Sequence, residues 1–308
     1  MPNNRIPIKN AGALNRSKGI PVIPNRSNPA KRLPMLAEEP EAAPAYMRPG
    51  SDTYDIRQKL PKFESREAMN EEKNLRYSLL LKNKVKGADA VATRLSECVP
   101  RPCMSPACPE CARLFRRWKF WAISKLFRGE ETYSVTIVPT TARMGDDDLM
   151  KFNPRSFAER IRHQLDEVNV DVIAVGGIEI DYHSHVRLWQ PHIHLLVSGA
   201  TKEELLGLTR FYRTKRELDN SDGVRKVPVM IKKIDNRAKA FSYILKMRPM
   251  RRDHFIGKDG SYRRPRKYRL DEPQLSLSLV MLNKFKLTDF LFLYNVSRRG
   301  SILKSNFY

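Results

Sequence analysis

The sequence predicts an α+β protein in which an antiparallel sheet carries helices on one face and a small four-cysteine module precedes it. Three observations lead there. From Thr132 onward, strand-like and helix-like patterns follow in the order strand, helix, strand, strand, helix, strand, helix. Two apolar runs, 171–181 and 191–197, are joined by a polar stretch, as in an antiparallel hairpin with a longish loop. All four cysteines of the chain fall between Cys98 and Cys111. The roughly 130 residues that follow Thr132 in this pattern suffice for one hydrophobic core.

Taken in order, the chain opens on different material. Ten of its 21 prolines lie in positions 1–61, among Asn, Ser, Arg and Lys. With so little apolar periodicity, residues 1–63 are expected to form a disordered, basic, proline-rich arm. The chain shows no signal-peptide core and no stretch of transmembrane length, so a cytoplasmic protein with no membrane partner is expected. Residues 64–97 read as a helix, with Leu75, Leu79, Leu80, Val85 and Val91 at apolar positions. It leads into Cys98, Cys103, Cys108 and Cys111, spaced C-x4-C-x4-C-x2-C, with Pro100, Pro102, Pro106 and Pro109 supplying tight turns. Behind them Arg113, Arg116, Arg117 and Lys119 alternate with Leu114, Phe115, Trp118 and Phe120. That mixture suits either a phosphate-binding face or an ordinary amphipathic helix. The helix and cysteine module is assigned to 64–128, and the sheet domain with a basic C-terminal extension to 129–300.

Residues 132–138 are β-rich and open the sheet, and 152–168 form a helix with its charges outward. In the strand 171–181, alternation puts Val175, Gly177, Glu179 and Asp181 on one face. In the strand 191–197, the same rule makes His192 and His194 point one way and Ile193 and Leu195 the other. Residues 201–218 have helical periodicity through Leu205, Leu208, Phe211 and Tyr212, with Thr201 as N-cap. A strand follows at 227–234, with Pro228 near its start, where a missing N–H is tolerated. Next comes a helix at 235–246, capped by Asp235 or Asn236, on which Tyr243 and Lys246 share a face. The stretch 275–294 is apolar enough to pack on the sheet, and 295–300 makes a basic edge.

Chemistry gathers at three places. Two imidazoles side by side on a rigid strand can hold a metal ion, and Glu179 on the neighbouring strand would complete the site with open positions for water or substrate. Imidazole and carboxylate together suit Mn²⁺, Mg²⁺ or a later first-row ion. His183 and His185 are spare histidines of the predicted loop. A phenol beside a cation, as at Tyr243 and Lys246, suits attack on phosphate, because the cation favours phenolate and stabilises charge on the phosphate oxygens. Tyr212 and Lys215 repeat that spacing on the preceding helix. Finally, four clustered thiolates match a structural Zn²⁺ site better than two disulfides, since nothing in the chain indicates secretion. A closed four-sulfur site leaves no coordination position for catalysis.

A His-hydrophobic-His strand followed by helix, strand and a helix bearing Tyr-x-x-Lys resembles the HUH endonuclease superfamily, and within it the plasmid rolling-circle replication initiators. The likeness covers roughly residues 98–300, and its most specific blocks are 191–196 and 243–246. It implies a ferredoxin-like sheet and a catalytic divalent ion, Mg²⁺ or Mn²⁺, held by His192, His194 and Glu179. It further implies Tyr243 as nucleophile and Lys246 as the assisting cation. The tyrosine would leave a 5′-phosphotyrosyl link and a free 3′-hydroxyl to prime replication. It places the nucleophile on the later helix, which favours Tyr243 over Tyr212. Many relatives carry a second tyrosine directly after the lysine; Met247 stands there, which makes this a single-tyrosine chain. A cysteine cluster ahead of the histidine strand also occurs in some of these initiators.

Charge agrees with DNA as the partner. The chain has 57 Lys and Arg against 34 Asp and Glu, a net +23, as expected of a polyanion binder. Residues 247–269 alone hold nine Lys or Arg and two Asp, interleaved with Phe255, Tyr262 and Tyr268. Basic groups neutralise phosphates while rings stack on unpaired bases, so this is a workable surface for a single strand. The substrate implied is a single-stranded or supercoiled origin. No nucleotide-binding glycine loop or helicase motor is present, so a host helicase and polymerase, or supercoiling, must open and copy the DNA. A transposase or mobilisation relaxase would use the same residues on a different DNA. A non-catalytic zinc-dependent DNA-binding regulator would leave every strand intact. Histidine-triad hydrolases need a further alternating histidine where Leu196 stands.

Overall fold

A computed structural model describes residues 66–98, 102–127, 131–168, 171–214, 227–244, 246, 248–256, 262–299 and 302–307. The arm expected at 1–63 lies outside the described residues. Four consecutive strands form one end of the main sheet: β1 (Tyr133–Ile137), β2 (Ile173–His183), β3 (Leu188–Ser198) and β4 (Val229–Lys233). Their order is β4–β1–β3–β2, and every pairing among them is antiparallel. The chain passes from β1 to β2 through helices α4 (Asp146–Leu149) and α5 (Pro154–Val168). It passes from β3 to β4 through α6 (Lys202–Leu206) and a 3₁₀ turn, Gly207–Tyr212. Thr201 caps α6 as its position predicts: its hydroxyl accepts from the Glu204 N–H while the Glu204 carboxylate accepts from the Thr201 N–H. The helix expected over 201–218 is a short α turn continued as 3₁₀ to Tyr212, and its far end lies outside the described residues.

The hairpin β2–β3 is the spine. It turns through residues 184–187, with Arg187 in the left-handed region at φ 53°. Its register sets Glu179 opposite His192 and Gly177 opposite His194. The outer edge of β2 is shared. β7 (Leu291–Tyr294) pairs antiparallel with residues 174–177, whereas β5 (Arg251–Ile256) pairs parallel with Tyr182 and His183. β6 (Tyr262–Tyr268) follows β5 as a hairpin partner, and β8 (Val296–Arg299) with β9 (Ile302–Ser305) forms a separate two-stranded sheet. The expectation of a purely antiparallel sheet is thereby corrected to a mixed one. The basic segment 247–269, read only as a surface, supplies the two added strands.

Helices on one face is also corrected. β2 and β3 are buried at every residue but one end each, so both of their faces are covered. Phe292 pairs opposite Gly176, hence faces away from Glu179, and Arg162 of α5 lies over its ring at 5.3 Å. The other face meets α7 (Arg237–Tyr243), which Asn236 caps by accepting from the Lys239 N–H. α7 can come this close because residue 177 is glycine: a Cβ there would stand 2.4 Å from the Ile244 carbonyl oxygen. Gly177→Ala is therefore expected to push the end of α7 off the sheet and cost about 1–3 kcal/mol of stability as overpacking, read by denaturant unfolding. An unchanged midpoint would refute the close approach.

Ahead of the sheet, α1 (Arg66–Lys82) and α2 (Ala88–Ser96) replace the single helix expected over 64–97. The break falls at Gly87, whose φ of +90° a side chain would strain. α3 (Pro109–Leu126) starts with Cys108 as N-cap and Pro109 in its first turn. Two of its basic residues, Arg116 and Lys119, turn inward. Arg116 is buried and donates to the Ser242 carbonyl at the end of α7. Lys119 is wholly buried with its amine 3.8 Å from the Trp118 ring centre, and burial pushes its pKa well below the usual lysine range. The rings of Phe120 and Phe127 both pack on Phe241, tying the cysteine module to α7. α8 (Gln274–Leu282) completes the core with Leu275, Leu279, Met281 and Leu282. Among the described residues, no helix is long and apolar enough to cross a membrane.

Candidate metal centre and its neighbouring tyrosine

Two groups of potential ligands converge among the described residues, and both are the groups that the sequence spacing marks. The first is Glu179 with His192 and His194, all three at most 5% exposed. Strand alternation puts the imidazoles on one face, and the hairpin register brings the carboxylate beside them. Glu179 Oε2 lies 3.6 Å from His192 Nε2 and 3.8 Å from His194 Nε2. The two imidazole rings meet edge to face, with centres 4.9 Å apart.

The proton positions follow from the partners. His192 Nδ1 faces the Gln190 carbonyl at 3.2 Å, an atom that only accepts, so the proton sits on Nδ1 and Nε2 keeps its lone pair. His194 Nδ1 lies 2.8 Å from the Thr136 hydroxyl, and burial pushes this histidine down to about 4, keeping it neutral. Burial opposes charge on Glu179 as well, an opposition that positive charge beside the carboxylate offsets. Glu179 Oε1, His192 Nε2 and His194 Nε2 are buried and have no hydrogen-bond partner. Glu179 Oε2 and the two Nε2 atoms crowd together as lone-pair bearers, and a cation among them removes the cost of that repulsion. The residues fit a divalent ion with open coordination positions, and the donor types leave its identity to Mg²⁺, Mn²⁺ or a later first-row metal.

Around this cluster the structure adds groups that the sequence did not single out. Asp181, on the same strand face as Glu179, lies 3.9 Å from His192 Nε2. It is engaged elsewhere: it accepts from Arg252 Nε at 2.5 Å and from the Met250 N–H, and Lys267 Nζ is 3.5 Å away. Burial works against its charge, but His192, Arg252 and Lys267 hold it down at about 2. Gln190 donates to the Pro139 carbonyl and accepts from Arg143, bracing the strand on which the histidines stand. The available signal was the alternation itself, which puts Gln190 and Thr136 on the face of the histidines once β1 is paired with β3.

Tyr243 ends α7, and its ring packs edge to face on His194 with centres 4.9 Å apart. It is 36% exposed. Lys246 Nζ sits 4.8 Å from the centre of that ring, while Lys267 Nζ is 3.5 Å from the hydroxyl itself. Tyr212 lies in a different world. It is buried, and its hydroxyl donates to Gln164 Oε1 of α5 at 2.5 Å. His183 closes β2 and His185 sits in the hairpin turn, their rings 5.9 Å apart and outside the ligand group.

The second group is Cys98, Cys103, Cys108 and Cys111, whose sulfurs all lie within 4.8 Å of one another and form no disulfide. Cys111 Sγ is 3.4 Å from Cys98 Sγ and 3.7 Å from Cys103 Sγ, close to the roughly 3.8 Å edge of a tetrahedral Zn–S₄ site. Crowding splits their acidities: neighbouring thiols drive Cys98 toward thiolate and push Cys108 and Cys111 up. A dication at the centre would hold all four as thiolates. The loop that carries them is built for the purpose. Met104 takes a left-handed turn at φ 57°, Cys108 N–H bonds the Ser105 carbonyl, and buried Arg76 donates to the Ala107 carbonyl. Cys111→Ser is expected to lower soluble yield and zinc content together, from about one zinc per chain, because structural zinc contributes to folding directly. Soluble, reduced wild-type protein without zinc by elemental analysis would refute the assignment.

In comparison with known proteins, no protein family matches this chain, and no curated sequence or solved structure matches it.

Proposed function

We propose that this chain is a metal-assisted DNA strand-nicking and strand-transfer enzyme of the HUH kind, acting as a plasmid rolling-circle replication initiator. One observation carries the reading. An exposed tyrosine flanked by two lysines packs directly on a histidine of a buried His-His-Glu cluster in which both imidazole Nε2 atoms lack hydrogen-bond partners. The strand order β4–β1–β3–β2, with crossovers after β1 and β3, supports the ferredoxin-like fold that this reading requires.

In the proposed reaction, Tyr243 Oη forms a bond to the scissile phosphorus and the bond from phosphorus to the 3′-oxygen breaks. The phenol loses its proton to water and the leaving 3′-oxygen gains one, so the exchange is proton-neutral. A divalent ion held by His192, His194 and Glu179 would polarise the phosphate. The Gln190 carbonyl holds His192 in the tautomer that leaves its Nε2 free, and the Thr136 hydroxyl, which can accept from His194 Nδ1, suits the same tautomer there. Lys246, over the tyrosine ring, fixes the phenol and adds positive charge on the substrate side. Religation is the reverse attack by a 3′-hydroxyl. The cysteine module stays structural, with Zn²⁺ as the ion its donors favour, and it buttresses α7 through Arg116.

Single-stranded origin DNA is the proposed substrate, with a host helicase and polymerase as partners and the cytoplasm as compartment. Of the basic residues in 247–269, Arg248 and Arg269 reach Glu72 of α1, and Arg251 pairs with Asp253 and Asp271. Part of that charge therefore anchors the β5–β6 hairpin beside the site. The test is incubation with Mn²⁺ and a pool of single-stranded DNA, followed by denaturing electrophoresis. A covalent protein–DNA adduct and a free 3′-hydroxyl are expected. Bound but intact strands would replace this reading with that of a zinc-dependent DNA-binding regulator.

A further inference from the structure

We infer that Lys267, on β6, is a catalytic residue that stabilises the negative charge on Tyr243 Oη during strand cleavage and religation. This inference rests on the nicking reading above. The geometry separates the two lysines near the tyrosine. Lys246 Nζ stands over the ring face, 4.8 Å from its centre, where it feels the π cloud. Lys267 Nζ is farther from the ring centre, at 5.6 Å, yet within 3.5 Å of the hydroxyl oxygen, so it lies off the edge of the ring at the reacting atom.

Its position is held from behind. Asp181 Oδ2 lies 3.5 Å from Lys267 Nζ and is itself anchored by Arg252 and the Met250 N–H. Lys267 is thus a short bridge from a buried, fixed carboxylate to the phenol. A cation pinned in this way needs no reorganisation when charge appears on the phenol oxygen. Developing phenolate is what attack on phosphorus demands. As the Oη–P bond forms and the P–O3′ bond breaks, charge leaves Oη; in religation it returns to Oη as the phosphotyrosyl bond opens. The same contact serves both directions, and no added reagent is required. Lys267 stands 24 residues beyond Tyr243 in the chain and reaches it because β5 pairs with the end of β2 and β6 folds back upon β5.

The experiment compares single-turnover cleavage and strand affinity in full-length wild type, Lys267→Met, Lys267→Arg and Lys246→Met, with Lys267→Gln as a second neutral variant should the methionine fail to fold. The first requirement is that wild type forms an adduct; without one the nicking reading itself fails. Given that adduct, Lys267→Met or Lys267→Gln should cut the cleavage rate by about 100-fold while strand affinity changes by less than about threefold, and Lys267→Arg should recover much of the rate. Lys246→Met should fall less. On a strand with a bridging 3′-sulfur as leaving group, the Lys267 defect should persist, because the lysine acts at the nucleophile. A neutral Lys267 variant that cleaves at the wild-type rate, or whose defect disappears on the sulfur strand, would overturn the inference while leaving the nicking reading in place.

Discussion

Tyr243→Phe should fold and bind single-stranded DNA like the wild type and form no covalent adduct with it. The ring that packs on His194 remains, and so does the ring surface under Lys246; only the attacking oxygen is gone. Strand transfer should vanish entirely, because water can replace a phenol as nucleophile but cannot hold the strand for religation. Tyr212→Phe is the matched control with the opposite signature. Its hydroxyl is buried against Gln164, so its loss should cost about 1–2 kcal/mol of stability and leave adduct formation intact. Peptide mapping of the trapped adduct checks both at once. A phosphotyrosine at 212 would refute the assignment of the nucleophile, though not of the reaction.

His192→Ala and His194→Ala should each lower cleavage by a factor of roughly 1000 or more, since ion-assisted charge stabilisation at phosphate is worth several kcal/mol. Strand affinity should hold, because the paired lysines and arginines of the β5–β6 hairpin do not depend on the imidazoles. A second measurement separates loss of the ion from loss of the fold. Each substitution removes one of three mutually repelling buried acceptors, so the ion-free variants should melt no lower than ion-free wild type by much more than the cavity they leave. Added Mn²⁺ should then raise the melting temperature of wild type alone. Equal stabilisation of wild type and variants would mean that the ion binds elsewhere. Glu179→Gln should behave as the histidine variants do, and Asp181 is a poor substitute because Arg252 and Lys267 already occupy it.

How far the site was legible varies with the range of the interactions that build it. The two imidazoles were readable because the period of a strand is two: any strand through residues 191–197 turns His192 and His194 the same way. Glu179 was readable one step further, since alternation chose its face and a hairpin brought it alongside, but its distance from the histidines awaited the register. The thiols were readable because four cysteines within fourteen residues, with prolines to turn the chain between them, match a zinc ligand set. The single helix expected over 64–97 breaks at Gly87, because apolar periodicity continues across a glycine whose left-handed backbone ends a helix.

The residues by themselves thus determined the α+β class, the shared face of the histidines and the cysteine cluster, because each follows from periods and spacings within a few residues of the chain. Only the tertiary structure shows which of the two tyrosines lies beside the histidines. Tyr212 and Tyr243 carry the same local motif, and nothing nearby in sequence says that one is buried on α5 while the other is laid on His194. That outcome depends on a glycine at 177 admitting α7 and on α3 bracing it from behind. Lys267 belongs to the same class. Its place at the phenol is set by the pairing of β5 with β2 and of β6 with β5, contacts distant in sequence whose geometry no local pattern encodes.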